Sequence, residues 1–123
     1  MSQQLNFQKK RIVEYACTGY FSGYDGPEHL HNLLDTLDVA YTTKDEWASE
    51  YDDEFEIEKK SLKKAVNTLK RIDKGVRVRT VDIEDLTEML DDASMTLNEL
   101  VDCFNDMLKN AEKSREWIYV AFF

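Results

Sequence analysis

Thr96-Leu-Asn-Glu-Leu-Val-Asp-Cys-Phe-Asn-Asp-Met-Leu-Lys-Asn-Ala111 is the stretch that decides the fold class. Leu97, Leu100, Val101, Phe104, Met107, Leu108 and Ala111 recur at three- and four-residue spacing, which lays one apolar stripe along a helix. Thr96 and Glu99 stand three apart just ahead of it. That is the spacing of a capping box, in which each side chain satisfies the other residue's backbone amide. The same reading extends outward. Asp82 can cap a helix whose face is Ile83, Leu86, Met89 and Leu90. Phe55, Leu62, Ala65, Val66, Leu69 and Ile72 share another stripe, with Gly75 where a C-terminal glycine belongs. Gly26-Pro27-Glu28 opens a helix well, because proline suits the first turn and glutamate complements the dipole. Leu30, Leu33, Leu34 and Leu37 form its face.

Two further helices are allowed by the pattern. Leu5, Ile12, Tyr15, Ala16 and Tyr20 permit one at the N-terminus, ahead of a glycine-rich loop over residues 19–26. Thr43 and Glu46 can box a short one bearing Trp47 and Tyr51. Residues 76–81, Val-Arg-Val-Arg-Thr-Val, alternate with period two and suggest a strand. The apolar tail, residues 117–123, suggests a second strand or a tucked-in segment, since seven apolar residues do not stay in water. The expected fold is therefore mainly α, one compact domain over residues 1–123. It would hold about five amphipathic helices and a minor two-stranded sheet pairing 76–81 with 117–122.

Composition agrees with a single domain. The chain has 123 residues, 42% hydrophobic and 33% charged, with 25 acidic residues against 16 basic ones and a net charge of −9. One Pro and four Gly exclude collagenous and low-complexity classes, and 11% aromatics argue against wholesale disorder. No apolar run approaches the ~20 residues that span a bilayer. Glu14 interrupts the only apolar stretch near the N-terminus, so a signal peptide is not expected and the cytoplasm is the expected compartment. Cys17 and Cys103 lack ligand or redox spacing and read as two reduced, packed thiols.

Charge comes in blocks. Residues 44–58 carry −7, residues 59–79 carry +8 and residues 80–106 carry −9. The bland reading is a set of solvated faces that neutralise one another, with acids preceding bases along 45–74 as a helix dipole prefers. The sharper reading rests on density. Asp45, Glu46, Glu50, Asp52, Asp53 and Glu54 crowd around Trp47 and Tyr51. Asp82, Glu84, Asp85, Glu88, Asp91 and Asp92 occupy one helix with no basic residue among them. Like charges at i, i+3 and i+4 destabilise a helix, so their retention points to a use: a field that docks a basic partner, with Trp47 and Tyr51 as anchors. Two such rows on adjacent helices would imitate the charge spacing of a nucleic-acid backbone.

Catalytic motifs are absent. The chain has no GxSxG, P-loop, GxGxxG or HExxH, and the acidic runs lack the glycine of a calcium loop. His29 and His31, two apart on a helix, diverge and do not make a metal site. Residues 52–60 hold an acid–x–Lys pattern reminiscent of metal nucleases. It falls within a helical stripe instead of on a strand, which weakens the likeness. No metal and no cofactor are expected, and the chain does not read as an enzyme.

The expected function is that of a protein-binding inhibitor or regulator whose acidic faces engage a basic protein surface, such as that of a nucleic-acid-binding protein. Small, acidic, motif-poor chains resemble, as a class, phage anti-defence proteins, DNA mimics and immunity proteins. The alternative is a structural or adaptor subunit that forms a homo-oligomer through the apolar tail. Third comes nucleic-acid binding through the basic block 59–79, because no aromatic residue interleaves it and no helix-turn-helix pattern is evident; direct nucleic-acid contact is not the expectation. No membrane partner is expected.

Overall fold

Residues 117–122 form not a peripheral tail but an inner strand of a four-stranded antiparallel sheet. The computed structural model describes residues 4–10, 14–42, 54–111 and 113–122. In chain order the elements are β1 (Leu5–Lys10), β2 (Glu14–Cys17), α1 (Gly26–Thr36), β3 (Glu54–Glu58), α2 (Lys59–Asp73), α3 (Ile83–Asp92), α4 (Leu97–Asn110) and β4 (Trp117–Phe122). The strand order is β2-β1-β4-β3, every neighbour antiparallel. The protein is thus mainly α with a minor sheet, and four helices are found among the described residues where about five were expected.

The difference begins at the N-terminus, where the expected helix is the hairpin β1–β2. Leu5 and Phe7 are both fully buried. Residues two apart share a strand's face but diverge on a helix, so period two wins locally. Asn6, between them, lies opposite Ala121, and its Nδ2 donates to the Gln4 carbonyl at 2.9 Å.

The stripe starting at Phe55 divides in the same way. Glu54-Phe55-Glu56-Ile57-Glu58 alternates acid with apolar residue and forms β3, with Phe55 and Ile57 buried. The α2 helix follows without a linker, and Leu62, Ala65, Val66 and Leu69 bury its stripe. Glu54, Glu56 and Glu58, the acids nearest α2, therefore lie on a strand instead of in its first turn, and α2 opens on Lys59 and Lys60.

Residues 76–81 are not a strand. A strand has two edges, and β4 spends one on β1 (Phe7 opposite Val120) and the other on β3 (Phe55 opposite Val120). Residues 76–81 serve instead as a connection that tucks Val81 into the core. The outer edge of β3 is partly covered, since Glu58 N donates to Ala40 O and Thr42 N donates to Glu56 O, both at 2.9 Å. The expected short helix around Trp47 lies outside the described residues.

Local signals at the helix ends are borne out. Asp82 Oδ1 accepts from Glu84 N at 3.0 Å and from Asp85 N at 3.2 Å. Thr96 and Glu99 form the capping box at 3.1 and 3.0 Å. Gly75, at φ +79°, closes α2: its N–H reaches Ile72 O and that of Val76 reaches Arg71 O. This is the paired bonding of a Schellman motif, which needs a left-handed residue. The helix α1 ends on the same pattern with Asp38 at φ 57°, and α3 with Ser94 at φ 55°.

The helices pack in pairs, α1 with α3 and α2 with α4. Their stripes join Leu5, Phe7, Phe55, Ile57, Ile118, Val120 and Phe122 of the sheet in one continuous core. Ile83 departs from its expected place on the α3 stripe and is 44% exposed. Among the described residues, no helix is long and apolar enough to cross a membrane.

Candidate functional site

Two patches of opposite sign, an acidic pole and a basic pole, stand out on the fold; Lys70, Arg71, Lys74, Arg77 and Arg79, at the end of α2 and in the connection to α3, belong to neither. The acidic pole is built on α3, which buries only Leu86 and Leu90 and packs against α1. Asp82, Glu84, Asp85, Glu88, Asp91 and Asp92 are all exposed. Asp82 spends its carboxylate on the helix cap, whereas the carboxylates of Asp85, Glu88, Asp91 and Asp92 meet no hydrogen-bond or ion-pair partner among the described residues. Glu84 and Asp85 suit the N-terminal dipole. Asp91 and Asp92 oppose it, since they fall in the last turn, where no basic residue offsets them.

The sequence reading missed how far this pole extends. The turn at Ser94 leads directly into α4, which carries Glu99 and Asp102 in its first half and Asp106 in its second. Tyr20 senses them: burial raises its phenol above the usual value, and Glu99 and Asp102 push it further in the same direction. Acids from a helix start could have been added to the site from the capping box alone, because Glu99 belongs to it.

Of the acids grouped around Trp47 and Tyr51, only Glu54 falls within the described residues. Asp45, Glu46, Glu50, Asp52 and Asp53, with the anchors Trp47 and Tyr51, lie outside the described residues. Glu54, Glu56 and Glu58 are strand residues, directly opposite Ala121, Tyr119 and Trp117. Their row follows the outer face of a sheet, not a helix beside α3, so the described residues do not form two parallel acidic helices.

The basic pole is a groove of about 920 Å³. One wall is the start of α2, with Lys59, Lys60, Lys63 and Lys64. The other holds Lys109 from the end of α4 and Lys113 and Arg115 from the turn before β4. Leu108 contributes the apolar lining, and Glu58 and Glu116 the acidic part. The walls are tied together by Lys59 N, which donates to Glu116 O at 2.9 Å. Sequence reasoning found the first wall as part of block 59–79 and missed the second.

Other candidate chemistry takes structural places. His31 is buried, its ring 4.4 Å from that of Phe55 and 4.9 Å from that of Tyr41. Tyr41 in turn donates its hydroxyl to Asp35 Oδ1 at 2.7 Å. Cys103 is a free, buried thiol. Burial pushes it up to about 12, with a hydrogen bond from Thr18 opposing the shift and Asp106 adding to it, so little thiolate forms near neutrality. The acid–x–Lys pattern set aside as helical in fact straddles β3 and the start of α2. Among the described residues no three His, Cys, Asp or Glu side chains converge as a metal site.

No family model, no curated protein and no solved structure matches the chain.

Proposed function

We propose that the protein is a charge-directed, non-enzymatic binding protein that docks the acidic face of α3 against a basic surface of another protein. The observation that carries this reading is the row Asp85, Glu88, Asp91 and Asp92: four exposed carboxylates on one short helix, unpartnered among the described residues. Two of them weaken the helix that bears them. Such a field accelerates encounter and fixes orientation, and it would favour the basic surface of a nucleic-acid-binding protein. An inhibitor or regulator acting in the cytoplasm, of the anti-defence, DNA-mimic or immunity type, is the setting this chemistry suits. The alternative, a homo-oligomer joined by the tail, loses its physical motive, because Ile118, Val120 and Phe122 are already covered within the molecule.

The test is affinity capture from host lysate at low and high salt, with wild type beside the triple reversal Asp85→Lys, Glu88→Lys, Asp92→Lys. A partner held at low salt, released at high salt and lost in the reversal supports the reading. Equal capture by the folded reversal variant overturns it.

A further inference from the structure

We infer that the groove between α2 and the α4–β4 turn binds the phosphate backbone of a nucleic acid, without reading its bases. This goes beyond the acidic-face reading and does not depend on it.

The groove concentrates charge that the chain scatters. Residues 107–123 carry only three cations, Lys109, Lys113 and Arg115, and all three line this one groove. They face lysines that lie some fifty positions earlier. Neutralisation does not explain the gathering, since Lys60, Lys63, Lys64, Lys109 and Lys113 meet no carboxylate partner among the described residues. Folding alone does not favour it either. The helix dipole makes the start of α2 electropositive, its N-cap Glu58 makes no side-chain cap, and its first turn holds no acid. Lys59 and Lys60 add positive charge at that end.

The chemistry of the lining selects the ligand. Six of the seven cations are lysines, and the one arginine is already engaged by Glu56. The arginine fork fixes the geometry of a carboxylate or a phosphate, whereas a lysine acts as a point charge that phosphate oxygens accept without a set orientation. Lys59 with Lys63, and Lys60 with Lys64, stand four residues apart, so each pair rises about one 5.4 Å turn along the wall. A row of this kind can follow a chain of phosphates. Among the described residues no aromatic lines the groove, so the lining offers backbone contact without base stacking. The net charge of −9 does not forbid this. Exposed charges more than a Debye length away, about 8 Å at physiological salt, are largely screened, and within the groove seven cations face two carboxylates, Glu58 and Glu116, among the described residues.

The test is fluorescence anisotropy on the full chain with three labelled probes of random sequence: a DNA duplex, a DNA strand and an RNA strand. One wall is altered by Lys60→Gln, Lys63→Gln and Lys64→Gln, the other by Lys109→Gln and Lys113→Gln; matched Lys→Arg versions and melting curves control for folding. Wild type should bind at 50 mM salt and weaken on the order of 10²-fold at 200 mM, as counterion release by about five contacts requires. Each Gln set should cut affinity at least about tenfold and reduce the salt slope by about one per lysine, with the Arg sets retaining binding. The inference is overturned by no binding to any probe at about 100 µM protein in 50 mM salt, where non-specific binders are already seen. It is equally overturned if a folded Gln set from either wall binds like wild type, or if poly-glutamate binds as tightly as the nucleic acids.

Discussion

The guanidinium of Arg115 donates to Glu56 Oε1 at 2.5 Å, a contact between residues 59 positions apart. It links the turn before β4 to the outward side of β3, and it holds the groove's one arginine away from a free role. Both side chains remain partly open to water, 41% for Arg115 and 28% for Glu56. Water and salt therefore screen the pair, and its removal costs little. The substitution Glu56→Gln should lower stability by less than about 1 kcal/mol in urea unfolding, with the loss shrinking in 0.5 M salt. A loss several times larger would mean that the pair positions the turn itself.

The acids at the end of α3 make a prediction of the opposite sign. Asp91 and Asp92 face the negative end of the helix dipole with no basic residue in the last turn, and Glu88 stands within four residues of both. Neutralising them as Asp91→Asn or Asp92→Asn should stabilise the protein, by about 0.3–1 kcal/mol each. A higher urea midpoint together with weaker partner capture would mark these residues as kept for binding at the expense of stability. Lower stability in both variants would show that the carboxylates make contacts the fold depends on.

Cys103 sets a limit on alkaline stability. Its thiol rises from an ordinary 9.0 to about 12 in the folded protein, chiefly through burial. The folded state therefore holds its proton more tightly than the unfolded chain does. The resulting contribution is fully present below about pH 9 and is lost as pH rises towards 12, up to about 4 kcal/mol. The phenol of Tyr20 is shifted in the same direction. Replacing Cys103 with Ala should flatten the decline in stability between pH 9 and 12, whatever its cost at neutrality. The native thiol should also resist a disulfide reagent at pH 8; rapid labelling of the folded protein would contradict its burial.

How much of this was legible in the chain depends on the range of the interaction. The Thr96–Glu99 box, the Asp82 cap and the Gly75 terminus act within four residues, and each was readable where it stands. Strands are settled by distant partners. Phe55 fitted the stripe of Leu62 and Val66 until pairing with Val120 placed it on a sheet, and Leu5 fitted a helix until Phe122 took the position opposite. Residues 76–81 alternated as a strand does but found both edges of β4 occupied. The acids of α3 were legible because one helix carries them all. The groove was not, because Lys109 and Lys113 meet the start of α2 only in three dimensions.

Two backbone positions should respond in opposite directions. A Cβ built on Gly26 would lie 2.2 Å from the Phe21 carbonyl oxygen and 3.1 Å from a ring carbon of Phe122. The first neighbour is backbone and cannot swing aside, so Gly26→Ala should destabilise by at least about 2 kcal/mol, as overpacking in a rigid site does. Ser94 adopts φ 55° to close α3, a conformation that costs a side-chain-bearing residue roughly 1 kcal/mol. There Ser94→Gly should be neutral to stabilising, because the left-handed residue of a Schellman motif is most easily glycine. Urea unfolding of the two variants separates the signs. Equal stability of Gly26→Ala and wild type would require the loop around Phe21 to move freely.

The C-terminal strand offers the sharpest separation between a folding role and a docking role. Among the described residues β1 and β3 are joined within the sheet only through β4, so its removal parts the β1–β2 hairpin from β3. It also uncovers the core that Ile118, Val120 and Phe122 seal. Burying one such side chain is worth about 1.5–3 kcal/mol, and three of them rival the 5–15 kcal/mol that holds a typical domain together. Deletion of residues 117–123 should therefore abolish the cooperative thermal transition, and Val120→Asp should do the same by placing a charge where both neighbouring strands close over it. Trp117→Ala changes a partly exposed position on the strand's opposite side and should leave a folded protein. A truncated chain that still melts cooperatively, with altered size on a sizing column, would return the tail to the role of a subunit contact.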